Sequence, residues 1–208
     1  MTGQRIDAVV FDLGGVLIDW DPRYLYRSLF TGEQEMEQFL AEVCTMQWHL
    51  DHDLGVDTAE SCAQLARLHP QHHQLIMAWA ERGEEMVAGQ FDETVELLGA
   101  VKAAGMPCFA LSNMEPEAYA VRRHRFAFMS WFDGLVISGL EGSAKPDRRI
   151  FDVLLQRYGL DPHRCVFIDD SARNIEAARE LGMIALLYRS AGQLRTELED
   201  LGISTARP

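Results

Sequence analysis

Four short stretches of this chain end on side chains able to do chemistry: FDLGG at 11–15, LSN at 111–113, KP at 145–146 and IDD at 168–170. Asp12 follows Val9, Val10 and Phe11, β-forming residues, and so stands where a buried strand leaves its sheet. A carboxylate there can be a nucleophile, a metal ligand or a strand-end cap. Gly14 and Gly15 let the backbone turn tightly and approach whatever Asp12 holds. Taken alone, Ser112-Asn113 is a turn, Asp169-Asp170 a helix N-cap and Lys145 a solvated surface residue. A fifth stretch, WHLDHD at 48–53, sets His49, His52 and Asp53 at i, i+3 and i+4 of a helix, a face able to hold a metal if a fourth ligand exists.

The elements needed to position these groups are legible from residue 92 onward. ETVELLGAVKAAG, PEAYAVRRHRFAFM, DRRIFDVLLQRYG, SARNIEAARELG and AGQLRTELEDLG have helical apolar spacing. Several of these stop at a glycine, and Ser171 begins one as its N-cap. Between them run the apolar strands CFALSN, FDGLVIS, CVFIDD and MIALLY. Strands apolar throughout and alternating with helices predict a doubly wound, Rossmann-like α/β core whose parallel sheet is covered on both faces. Ligands of such sheets collect at the carboxyl ends of the strands, where Asp12, Ser112-Asn113 and Asp169-Asp170 all fall. Residues 16–90 are too long for a simple crossover and read as wholly helical, an inserted α-helical cap domain beside the strand ends. The core is then 1–15 with 91–208, and the tail STARP is expected to fray.

Composition narrows the function. The 208 residues carry a net charge of −13, which repels a nucleic-acid backbone and also an anionic substrate unless a metal or a placed lysine gathers locally. The four cysteines lie too far apart for a zinc-type pair and read as buried free thiols of a reducing compartment. Neither a signal peptide nor a membrane span is legible, so a cytoplasmic protein, monomeric or homodimeric and without membrane or nucleic-acid partners, is expected.

FDLGG, LSN, KP and IDD in this order resemble the motifs of the haloacid dehalogenase-like hydrolase superfamily, in its helical-cap subgroup. The resemblance spans essentially the whole chain and is strongest to bacterial sugar-phosphate phosphatases with a glycine two residues after the nucleophile. It implies that Asp12 attacks phosphorus to form an aspartyl-phosphate, being anionic at neutral pH if it titrates near its ordinary value of about 3.9. It implies Mg2+ held by Asp12, the Gly14 carbonyl and Asp170, with Asp169 as a partial ligand. Ser112 and Asn113 would bind phosphoryl oxygens, Lys145 would offset charge, and Asn174 would brace the acids from behind. The implied function is a magnesium-dependent phosphomonoester hydrolase acting on a small phosphorylated metabolite, a sugar phosphate favoured.

The sequence departs from the common phosphatase pattern at Gly14, where an aspartate usually protonates the leaving group. Without a proton donor, the site would favour esters whose leaving group needs little protonation. Asp19, Asp21, His49 and His52 are candidate replacements, and Trp20, Tyr24, Trp48 and His49 candidate substrate contacts. Asp19 and Asp21 equally suit capping of a helix at Pro22. Two other readings remain open. A metal-free 2-haloacid dehalogenase would use the same Asp12 but has no role for Asp169-Asp170, and a regulatory protein would bind phosphate without turnover.

Overall fold

The computed structural model describes residues 5–206. Five parallel strands form the main sheet: β1 (Ala8–Phe11), β4 (Cys108–Ser112), β5 (Gly134–Ile137), β6 (Cys165–Asp169) and β7 (Ile184–Leu187), in the order β5-β4-β1-β6-β7. The period-2 alternation of β1 sends Val9 and Phe11 into one hydrophobic core and Ala8 and Val10 into the other, so both faces are buried. Helices α6 (Asp92–Ala103), α7 (Pro116–Arg125), α8 (Ser138–Glu141), α9 (Arg148–Tyr158), α10 (Ala172–Glu180) and α11 (Ala191–Asp200) alternate with the later strands. The doubly wound core is as the sequence predicts. Strand order reverses around β1, which places the end of β1 at the crevice between β4 and β6.

Between β1 and β4 lie β2 (Ile18–Trp20), α1 (Pro22–Tyr26), α2 (Glu33–Glu42), α3 (Met46–Asp53), α4 (Thr58–Leu68), α5 (His73–Glu81) and β3 (Val87–Gln90). The five helices gather a hydrophobic core of their own around Tyr26, Met36, Phe39, Cys62, Ile76 and Trp79. Two features differ from the all-helical expectation. β2 and β3 pair as an antiparallel ribbon, so the helical segment leaves and returns through adjacent strands. With three and four residues and a register shift between Asp19 and Trp20, these strands are too short and irregular to show alternation. The apolar run across α2 and α3 is also broken at Val43–Thr45, where the Thr45 hydroxyl accepts from the Trp48 amide and starts α3 afresh.

The tail also departs from expectation. Thr205 is buried, its hydroxyl bonds Glu199, and its carbonyl accepts from Arg195 at 2.9 Å. The last two residues of STARP lie outside the described residues. All four cysteines are buried free thiols. Among the described residues no helix is long and apolar enough to cross a membrane.

Candidate active site

Three strand ends and one loop converge on Asp12. The Asp12 amide donates to the Ile168 carbonyl at 2.8 Å, continuing the β1–β6 ladder one residue past the strand and fixing where its side chain emerges. Lys145 is 2 % exposed, and its Nζ lies 2.9 Å from Asp12 Oδ2 and 2.7 Å from Asp169 Oδ2. The loop carrying Lys145 is clamped by the Asn113 side chain, which accepts from the Lys145 amide at 2.8 Å and donates to its carbonyl at 3.0 Å. Asn113 therefore places Lys145 with one N–H and one lone pair of its amide group. The neighbouring Ser112 Oγ is buried without a partner among the described residues, a hydroxyl beside the cleft with a hydrogen bond still to give.

Asp169 and Asp170 divide the work. Asp169 is fully buried and its oxygens already accept from Lys145 Nζ, from Asn174 Nδ2 (3.0 Å to each oxygen) and from the Ser171 amide (2.8 Å). Ser171 stands at the N-cap of α10, but its hydroxyl makes no cap bond among the described residues, and its amide donates to Asp169 Oδ1 at the start of the helix. Asp170 is exposed and lies against Gly15, where φ is +70° and an added Cβ would sit 2.2 Å from Asp170 Oδ2. Gly15 is thus the glycine the turn requires. Gly14 has no positive φ and open space around a Cβ.

Oxygens of Asp12, Asp169 and Asp170 come within 4.8 Å of one another. Three carboxylates share one ammonium, so the cluster is short of positive charge. Burial first, then Asp169 and Asp170, push the Asp12 carboxyl up to about 8 against the pull of Lys145. Asp170 is raised as well: although its side chain reaches solvent, the protein packed around its carboxyl displaces water, and Asp169 adds to the effect. Burial alone would lower Lys145, but Asp12 and Asp169 hold its ammonium above the usual range. The expectation of an ordinary Asp12 titration is therefore corrected: ionising it needs more countercharge than Lys145 provides. Hard carboxylate oxygens short of cations suit Mg2+; Asp12 accepts one bond on each oxygen, from the Leu13 amide at 2.7 Å and from Lys145, and so keeps a lone pair on each to ligate beside Asp170, whereas Asp169 accepts two on each.

A haloacid dehalogenase-like hydrolase family model matches residues 6–182. The chain belongs to that family. Among its relatives are the flavin mononucleotide hydrolase 1 of Arabidopsis thaliana (30 % identical, covering 99 % of this chain and 81 % of the relative) and the phosphorylated carbohydrates phosphatase of Thermotoga maritima (26 %, covering 86 % and 82 %). A family enzyme from Bacteroides thetaiotaomicron, solved with magnesium and inorganic phosphate, shares the fold at a TM-score of 0.66 and 22 % identity over 88 % of this chain and 94 % of that one.

In this hydrolase the site opens into a cleft of about 250 Å³ between the strand ends and the helical segment. Asp12, Gly14 and Asp170 form its floor, and Trp20 and His49 line its wall. The rings of Trp20 and His49 stack at 5.1 Å with 14° between planes. Other sequence candidates lie elsewhere. Asp19 accepts from the Tyr24 hydroxyl at 2.8 Å, and Asp21 accepts from the Arg23 amide as the N-cap of α1. Trp48 packs on His52 and Trp79 inside the helical core. Burial lowers His49 to about 3 and His52 to about 4, so both are neutral and neither can donate a proton as a cation. Among the described residues the acidic trio, not His49, His52 and Asp53, is the group whose ligand atoms converge. Sequence reasoning missed three cleft residues: Asp53 as a cleft acid, and Glu115 and Arg122 altogether. The i, i+4 pairing with His49 marked Asp53. Glu115 and Arg122 had no sequence signal, since only the docking of α7 against the helices brings them in.

Proposed function

We propose that this hydrolase is a magnesium-dependent phosphatase of small phosphorylated metabolites, a sugar phosphate favoured, with residues 16–90 acting as a substrate-covering cap on a core of 1–15 and 91–208. The observation that carries the reading is the convergence of Asp12, Asp169 and Asp170 around one buried lysine at the strand ends. A 2-haloacid dehalogenase has no use for so many acids beside its nucleophile.

In this reading Asp12 attacks phosphorus, forming an aspartyl-phosphate that water then cleaves, and one hard displacement becomes two easier ones. Bound Mg2+ would neutralise charge on the nucleophile and on the phosphoryl oxygens. Lys145 holds the Asp12 carboxylate in place and shares that charge. Ser112 Oγ, without a partner among the described residues, donates to a phosphoryl oxygen. Asn174 and the Ser171 amide keep Asp169 aimed at Lys145. A cleft of about 250 Å³ is below the range of about 300–1,000 Å³ usual for ligand pockets, and its polar lining of Asp53, Asn113, Glu115 and Arg122 suits hydroxyls. Both features favour a sugar ester over one as large as a flavin nucleotide.

The test is phosphate release from a panel of sugar phosphates, nucleotides and flavin mononucleotide, with Mg2+ or with chelator. Asp12→Asn is expected to lose turnover by at least about 10³-fold with its circular dichroism unchanged, because no other group can form the covalent intermediate. A well-folded Asp12→Asn protein that still releases phosphate removes the reading, as does full wild-type activity in chelator.

A further inference from the structure

Gly14 leaves the nucleophile loop without a proton donor, and the helical segment carries one to the same cleft. We propose that Asp53, at the C-terminal end of α3, is the general acid and base of this site. The inference rests on the phosphatase reading above.

Three observations place it there. Asp53 lines the cleft together with Asp12, Gly14 and Asp170 while only 8 % exposed. Its backbone is pinned to the core: the buried Ser138 hydroxyl, at the end of β5, donates to the Asp53 carbonyl and accepts from the Met114 amide at 2.9 Å. Close by, Gly55 approaches the backbone of Gly139 so tightly that an added Cβ would meet its carbonyl oxygen at 2.8 Å. The acid is therefore held against the strand ends and does not hang from a mobile segment. Its carboxyl also accepts no hydrogen bond from any described residue, the nearest partner being His49 Nε2 at 3.8 Å.

The electrostatics suit proton transfer near neutral pH. Burial, then Glu115, push the Asp53 carboxyl up to about 7, against the pull of Lys145 and Arg122. His49, on the same helix, is neutral. Glu115, a further acid of the cleft, is also raised by burial, but its Oε2 already accepts from the Thr58 hydroxyl at 2.6 Å, a bond that pulls it back toward its charged form. Arg122 is held by Glu84 at 2.9 Å. Asp53 is the acid left free to exchange a proton.

The two steps balance. In the first, an Asp12 Oδ–P bond forms, the P–O ester bond breaks, and the Asp53 proton goes to the departing oxygen to give the alcohol. In the second, water attacks phosphorus and gives its proton to the Asp53 carboxylate. The P–Oδ bond then breaks, releasing inorganic phosphate and the Asp12 carboxylate.

The test compares benzyl phosphate, phenyl phosphate and 4-nitrophenyl phosphate, esters of similar size with successively better leaving groups, on wild type and Asp53→Asn with Mg2+. kcat/KM reports the first step. It should fall about 10²–10⁴-fold on benzyl phosphate, the usual worth of general acid catalysis, and less than about tenfold on 4-nitrophenyl phosphate. kcat on 4-nitrophenyl phosphate should drop with a burst of one nitrophenol per site, as the aspartyl-phosphate waits for its base. An equal loss of kcat/KM on all three esters, the mark of a structural role or of misfolding, overturns the inference, and so does no loss on any. Both leave the phosphatase reading standing, since wild type turns over. A wild-type protein inert on all three overturns that reading and this inference with it.

Discussion

The two adjacent glycines of the nucleophile loop do different work. Gly15 adopts φ +70° and gives Asp170 its place, whereas Gly14 only faces the cleft. Gly15→Ala should therefore cost about 1 kcal/mol or more in backbone strain and push the Asp170 carboxylate aside, lowering phosphatase activity at least about tenfold at limiting Mg2+. Gly14→Ala should stay within a few-fold of wild type. Steady-state rates against Mg2+ concentration, with melting curves, check the contrast, and equal behaviour of the two variants would refute it. At this scale the sequence singled out Asp12, Lys145, Asp169 and Asp170, whose side chains the fold brings together, because each closes a strand or stands in a motif. It could not reveal which of two consecutive glycines is sterically required, or that the Asn113 side chain grips the Lys145 backbone, since both depend on residues far apart in the chain.

Helix α3 ties the site to the cap and has a built-in acid sensitivity. His49 and His52 are buried and neutral, with folded values near 3 and 4. A histidine with a lowered folded value stabilises the fold fully above its unfolded value of about 6.5, and that stability is lost as pH falls toward the folded value. The share of urea resistance that His49 and His52 supply should thus decline between about pH 6.5 and 4, followed by the emission of Trp20, Trp48 and Trp79 around these rings. His52→Leu should make the decline shallower, and an unchanged slope would show that the loss arises elsewhere. The helices and parallel strands were legible because each repeats its apolar pattern over enough residues. The β2–β3 ribbon was not, since its few paired residues are specified by partners about seventy positions away.

Across the whole molecule, a net charge of −13 surrounds a site short of cations, so metal binding should also show in stability. With the Asp12 carboxyl raised to about 8, that group keeps its proton in the metal-free fold between about pH 4 and 8, where it is ionised in the unfolded chain. Its contribution to stability therefore falls as pH rises through that window, opposite in sign to that of His49 and His52. Mg2+ competes with that proton and should stabilise more at pH 8 than at pH 6. At a hundredfold excess over Kd the gain is about 2.7 kcal/mol, roughly 5–10 °C in Tm for a chain of this size. Calorimetry at both pH values checks this, and an Mg2+ shift surviving in Asp170→Asn would move the ligand elsewhere. The ribbon has a consequence at the same scale. Asp21 donates its amide to the Met86 carbonyl at 2.9 Å, so the helical segment begins and ends at neighbouring points of the chain. A stretch whose two ends already touch can be exchanged for another of different length or sequence without re-threading the sheet. In the proposed reading, the bond-breaking groups on the sheet and the groups that choose the ester are then separately heritable cassettes. Because Asp53 travels with the exchangeable one, a new cassette arriving without such an acid would inherit the nucleophile but not the proton.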